Sequence, residues 1–292
     1  MAMNNLTMRP RQSSVLYHPE AVSWKSRAVA NGGTVSSGTM QAVSDFCTAI
    51  DDIGTIRSAF LRLNLVCGDN LAAALTPLYR GTSASGYQYG AAADINNGPY
   101  APENYTEATG LTGNGTSKFV DTSVHLGDLV AIGADWDDVH CSAYIRSIQD
   151  YNPVFGGADD DGVENNQALL LYTDSFQTGD ANLTHFVTCS ATLGNGLHLG
   201  VFIAVDNGQY CVAGSQGTAS VTNTGGAAFV DTTQLYFGGA WSSRSVGNYY
   251  TSSPLAAYSI GKANGTDMST NNGRIAFFNA MQAFQTALGR NV

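Results

Sequence analysis

Acid clusters, histidines and loop aromatics are the residues of this chain whose types and spacing could do chemistry. Glycoside hydrolysis needs two carboxylates, about 5–5.5 Å apart in a retaining enzyme. The nearest candidate is Asp135-Trp136-Asp137-Asp138, where Asp135 and Asp137 would share one strand face, but no Glu accompanies them. A solvated turn is the preferred reading, with an ion or sugar site as the alternative. A second cluster runs Asp159-Asp160-Asp161-Gly162-Val163-Glu164-Asn165-Asn166. Hard cations such as Ca²⁺ take several oxygen ligands from a flexible loop of this kind. Its Gly arrives too early for EF-hand spacing, so Asp159, Asp161 and Glu164 are calcium candidates set against a plain polar loop. No other metal or cofactor is expected.

The five histidines are isolated in sequence. His185 and His198 fall within strand-like runs and read as sheet residues rather than ligands. No Gly-x-Ser-x-Gly elbow occurs, and Ser259-Ile-Gly-Lys262 matches Ser-x-x-Lys without its partner motifs. There is no P-loop, and Gly194-Asn-Gly196 falls short of the dinucleotide fingerprint. Aromatics remain. Trp136, Trp241, Tyr249 and Tyr250 lie in or beside predicted loops, with Asp135 and Asp137 as polar neighbours. Flat rings stack on sugars or anchor protein contacts. A subunit interface is the preferred use, and a lectin-like site stays open.

The elements that must position these residues are mostly short strands. Residues 1–17 are polar and irregular and read as an arm. Pro19 opens a helix that stops at Gly32-Gly33. Ser36-Ser37 offers the next N-cap, after which Met40, Val43, Cys47 and Ile50 share one face. Ile56, Phe60 and Leu63 suggest a helical turn or an extended piece. Residues 71–75 suggest another turn, ended by Pro77. Residues 18–80 therefore read as a mostly helical docking segment, and 81–105 as a Gly/Ser/Ala/Tyr-rich linker.

From residue 106 onward, β-like runs alternate with turns. They lie at 118–122, 128–133, 141–148, 168–172, 185–191, 197–205, 209–213, 218–222, 234–238 and 255–260. The clearest signal is Leu197, Leu199, Val201, Ile203 and Val205 alternating with other residues, followed by Asn207-Gly208. That pattern specifies a hairpin. Phe277, Phe278, Met281, Phe284 and Leu288 then form the stripe of a closing helix over 270–289. Many antiparallel strands with helices only at the two ends specify a sandwich or barrel, not βαβ units.

Composition agrees. The chain has 292 residues, 43% of them hydrophobic but only 12% charged, and 33 are Gly. Thirteen basic and 23 acidic residues give a net charge of −10. Without a Lys/Arg run, nucleic-acid binding lacks its electrostatic footprint. Five scattered cysteines read as small buried residues rather than a disulfide framework. The opening residues carry no apolar stretch of signal-peptide type. No run is long enough for a membrane span.

Three stretches carry a family likeness. They are Gly110-Leu-Thr-Gly-Asn-Gly-Thr-Ser-Lys118-Phe-Val-Asp-Thr122, Gln234-Leu-Tyr-Phe-Gly-Gly239, and Leu255-Ala-Ala-Tyr-Ser-Ile-Gly261 with the helix closing at Arg290. Together with the hairpin they resemble the LamG-like, concanavalin A-like jelly-roll domains of tailed-phage structural proteins, over residues 106–292. The resemblance implies a mainly β chain: an antiparallel jelly-roll β-sandwich with a helical N-terminal segment and a C-terminal helix. It implies a non-catalytic head-decoration or tail-associated subunit in the virion, made in a host cytoplasm and repeated as a homo-oligomer against other particle proteins. The alternative is a tail receptor-binding protein that recognises host carbohydrate. Retaining glucanases of the wider superfamily use a Glu-x-Asp-x-x-Glu strand, which is absent, so no enzymatic activity is expected. A truncation of residues 1–80 is expected to leave a folded sandwich that no longer docks.

Overall fold

The computed structural model describes residues 16–81, 90–135, 138–158, 167–172, 175–180, 186–189, 194–203, 208–213, 219–222, 234–240, 249–290 and 292. His18 caps α1 (Pro19–Ala30) by accepting the Glu20 amide on its Nδ1. Ser36 caps α2 (Ser37–Asp51) by accepting the Thr39 amide. A 3₁₀ turn at Ile56–Ala59 then leads into β1 (Phe60–Asn64), α3 (Leu71–Ala74) and β2 (Tyr79–Arg80). Next come β3 (Ile95–Gly98), β4 (Tyr105–Thr106), β5 (Gly110–Thr112), β6 (Phe119–His125), α4 (Leu126–Ala131) and β7 (Val139–Ile145). They are followed by β8 (Phe155–Ala158), β9 (Gln167–Leu171), β10 (Ser175–Asp180), β11 (Phe186–Cys189), β12 (Gly196–Ile203) and β13 (Gly208–Ala213). The chain ends with β14 (Ala219–Thr222), β15 (Gln234–Phe237), β16 (Gly239–Ala240), β17 (Tyr249–Tyr250), β18 (Pro254–Lys262) and α5 (Asn271–Ala287).

The protein is mainly antiparallel β structure with some helices. Sheet one has the order β13-β12-β7-β18-β1-β2, with β5 also on β18 and β4 on β5. Sheet two has the order β14-β11-β10-β9-β8-β15-β6-β3. One apolar core lies between them, joining Leu61, Cys141, Ala143, Ile145, Tyr258 and Ile260 of sheet one to side chains of sheet two. Those of sheet two include Val120, Val124, Phe155, Leu169, Leu235 and Phe237. The Tyr258 ring touches both Phe237 (4.7 Å) and Phe155 (5.3 Å) across this gap. A second core covers the other face of sheet one. There Trp24, Phe46, Ile50, Phe277, Met281 and Phe284 of the helices meet strand residues such as Leu63, Leu197 and Val201.

The inner strands β7, β18 and β1 of sheet one are therefore covered on both faces, and every residue of β7 is buried. The helix side of β18 uses small residues so that neighbours can approach. Ser259 bonds Ser142 at 2.6 Å, and a Cβ on Gly261 would stand 1.9 Å from the Ala59 carbonyl.

Three expectations change. Residues 18–80 read as mostly helical, with Ile56, Phe60 and Leu63 open between a helical turn and an extended piece; Phe60–Asn64 is extended, an inner strand between β18 and β2 buried at every residue. The segment is thus part of the sandwich, and α2 packs on α5 to form one helical layer with it. The described end of the 81–105 linker carries β3 and the buried Asp94 and Tyr100. The 128–133 run belongs to helix α4 rather than a strand; the Asp128 carboxylate accepts the His125 amide at 2.9 Å and caps it. The predicted hairpin pairs His198 with Ala213 through Ile203 with Gly208, while Asp206-Asn207 lies outside the described residues.

Two buried arginines lock these layers. Arg62 donates to Asp94 (2.6 and 2.8 Å), which also accepts from Asn64 (2.7 Å) and from the Tyr258 hydroxyl (2.8 Å). Arg290 donates to the carbonyls of Leu65 (2.7 Å), Val66 (2.9 Å), Ala256 (3.0 Å) and Glu107 (3.1 Å).

Candidate functional site: an aromatic face on the second sheet

Strand β6 alternates strictly. Val120, Thr122 and Val124 point into the sandwich, while Phe119, Asp121, Ser123 and His125 are half-exposed on the outer face. Neighbouring strands extend that outer face. Tyr236 of β15 stands opposite Asp121 and meets Phe119 edge-on at 5.2 Å. Tyr250 lies 5.8 Å from the same Phe119 ring. Ile95 on β3 stands opposite Asp121 and is 45% exposed, whereas Tyr236 is only 8% exposed.

The backbone that holds these rings is well tied. Gly238 turns β15 into β16 with φ +89°, and a Cβ there would meet the Tyr100 hydroxyl at 2.7 Å. β16 pairs with β17, and Asn152 donates to the Tyr250 carbonyl at 2.8 Å. Asp150 accepts from the Thr251 hydroxyl (2.9 Å) and from the Ser252 amide and hydroxyl (both 2.6 Å). Burial opposes ionisation of Asp150, but these hydrogen bonds outweigh it and hold its carboxyl below the ordinary carboxylate range. Burial does the opposite at Asp121, raising its pKa although the Ser123 amide bonds it at 2.7 Å. Burial, with the Asp121 charge added, pushes the Tyr236 phenol up to about 12.

Asp121 is held by Asn97 (3.1 Å) and its own turn, the posture of a positioning carboxylate. What the face offers is flat ring surface beside an amide and a carboxylate. That suits stacking and anchoring rather than bond cleavage.

Of the sequence-predicted residues, Tyr250 stands on this face, while Tyr249, its neighbour in β17, points to the other side of that strand. Asp135 does not stand on this face. Its carbonyl accepts the Asp138 amide, and Asp138 bonds the Asn264 amide just past the far end of β18. Since Tyr250 precedes the start of that nine-residue strand, the two ends lie about 27 Å apart. Trp136, Asp137, Trp241, Asp159, Asp161 and Glu164 lie outside the described residues. Among the described residues no group of three or more His, Cys, Asp and Glu could hold a metal ion.

The described histidines serve the fold. His198 Nε2 contacts the Gly194 carbonyl at 3.0 Å. His140 contacts the Lys262 carbonyl at 3.1 Å, and burial lowers its pKa to about 4. Sequence reasoning missed Phe119 and Tyr236. Their signal was the two-residue period of β6 and β15, which puts Phe119, Asp121 and Tyr236 outward.

No family model matches the chain. No curated protein matches it either. Among solved structures it is similar to a mutant of Trypanosoma rangeli sialidase displaying trans-sialidase activity, with a TM-score of 0.41 and 11% identity over 86% of this chain and 38% of that one. It is also similar to Trypanosoma rangeli sialidase in complex with 2,3-difluorosialic acid, with a TM-score of 0.40 and 9% identity over 91% of this chain and 38% of that one. The chain thus spans 38% of the length of those sialidases. Likeness at that level carries no argument about activity.

Proposed function

We propose that this chain is a non-catalytic structural subunit of a tailed-phage particle, a LamG-like, concanavalin A-like jelly roll that docks on neighbouring particle proteins through its aromatic face. The observation that carries this is the aromatic cluster Tyr236–Phe119–Tyr250 on a well-tied sheet, in which Phe119 and Tyr250 are half-exposed and Tyr236 is 8% exposed. Tyrosine-rich, rigid surface is what interface hot spots are made of. The jelly-roll reading is supported by a chain path that crosses between the sheets repeatedly: β2 to β3, β3 to β4, β5 to β6, β6 to β7, β7 to β8, β11 to β12, β13 to β14 and β15 to β18. The Leu255–Gly261 and Arg290 stretches that carry the family resemblance are an inner strand of sheet one and the arginine that clamps it.

A second reading, recognition of host carbohydrate by the tail, is favoured by Asp121 and Asn97 beside the Phe119 ring, since amide and carboxylate next to a flat ring suit a sugar. Two measurements separate the readings. The purified protein is expected to bind no glycan on a host-polysaccharide array and to release no reducing sugar. Glycan binding abolished by Phe119→Ala would transfer the function to the second reading, and sugar release would end the non-catalytic one.

A further inference from the structure

A cavity of about 690 Å³ opens on the helix side, between α1, the 3₁₀ turn before β1 and the β1–β2 ladder. That volume is ample for a small ligand. Three guanidiniums line it, Arg27, Arg57 and Arg80, against the single carboxylate Glu20. This is unusual on a chain with only 13 basic residues and a net charge of −10. The cationic heads are fixed rather than loose. Arg27 Nη2 donates to the carbonyls of Leu78 (2.7 Å) and Pro77 (3.2 Å), and Arg80 Nη2 donates to that of Gly90 (2.5 Å). Arg57 lies over the Tyr79 ring at 5.0 Å, and Tyr79 stacks on Phe60 at 5.8 Å. Arg57 also bonds Glu20 and comes within 3.5 Å of Asp51, yet its side chain stays 42% exposed. Preorganised guanidinium forks over a partly apolar floor are suited to planar or tetrahedral anions, and they carry little ordering cost on binding.

The geometry points to a binding site for a small organic anion, with a carboxylate or phosphate held by Arg57 and Arg80 and its body against the wall formed by Tyr79, Phe60 and Ile132. Glu20 is the internal anion that the ligand would compete with for Arg57. The site is distinct from the aromatic face and does not depend on the docking role.

Calorimetric titration with benzoate and with phenyl phosphate tests it, with benzyl alcohol as the neutral control. Saturable binding of at least one anion is expected, at least about tenfold tighter than the control. The stronger of the two identifies the anionic group. Arg57→Gln and Arg80→Gln should each weaken it about tenfold with an unchanged circular dichroism spectrum. Should either variant misfold, Arg57→Lys supplies the same comparison with the charge kept and the fork removed. Glu20→Gln should tighten binding, whereas a purely structural ion-pair cluster would only lose stability. No saturable heat with either anion, equal binding of benzyl alcohol, or affinity unchanged in the folded arginine variants would overturn the proposal.

Discussion

Asp94 receives hydrogen bonds from Arg62, Asn64 and Tyr258 in a position only 4% exposed, and its partner Arg62 is fully buried. Removing one member of such a pair leaves the other charge uncompensated in a low-dielectric interior. Asp94→Ala is therefore predicted to cost about 3–5 kcal/mol in urea unfolding, and a loss below about 1 kcal/mol would contradict the lock described for β1 and the 90–98 segment. His140 gives the pH dependence. Folded His140 is held at about 4 by burial, against an ordinary value of 6.5, so the unfolded chain takes up a proton that the folded chain refuses. Its share of stability is complete above about pH 6.5 and declines as the pH falls toward about 4. In His140→Gln, the drop in urea midpoint across that window should shrink. An identical drop would show that other groups set it.

At the level of elements, β1 lies between β18 and β2, and α2 shares its buried face with α5, as the 5.5 Å edge contact of Phe46 with Phe284 shows. A chain lacking residues 1–80 would expose the β18 edge and the apolar helix side of sheet one. It is predicted to be insoluble or unfolded, in contrast to the independent sandwich expected from sequence. A soluble truncation with native-like near-ultraviolet circular dichroism would restore the separable-segment view. Helices α1, α2 and α5 were legible because caps and three-to-four spacing are local: Pro19, Ser36 and the Phe277–Phe284 stripe sufficed, whereas the short α4 read as a strand. β12 and β13 were legible from alternation. β1 was ambiguous because a strand buried on both faces loses its two-residue period, so Phe60, Leu63 and their neighbours fit a helix equally well. The Arg62–Asp94 pair, joining residues 32 apart, left no local trace.

For the whole molecule, helices cover one face of sheet one, sheet two covers the other, and the outer face of sheet two is left carrying half-exposed Phe119 and Tyr250 around the largely buried Tyr236. Of the aromatics singled out from sequence, Tyr250 stands there, but Asp135 is tied to the opposite end of β18. Loop aromatics can be seen in a sequence, whereas which end of a sandwich each loop occupies depends on strand order. Docking through this face is the central claim. The measurement that tests it most directly is the copy number, by quantitative mass spectrometry of purified particles, of a folded Phe119→Ala/Tyr250→Ala protein competing with wild type. Hot-spot loss of about 2 kcal/mol or more predicts at least about a tenfold depletion of the variant. Equal incorporation would contradict it.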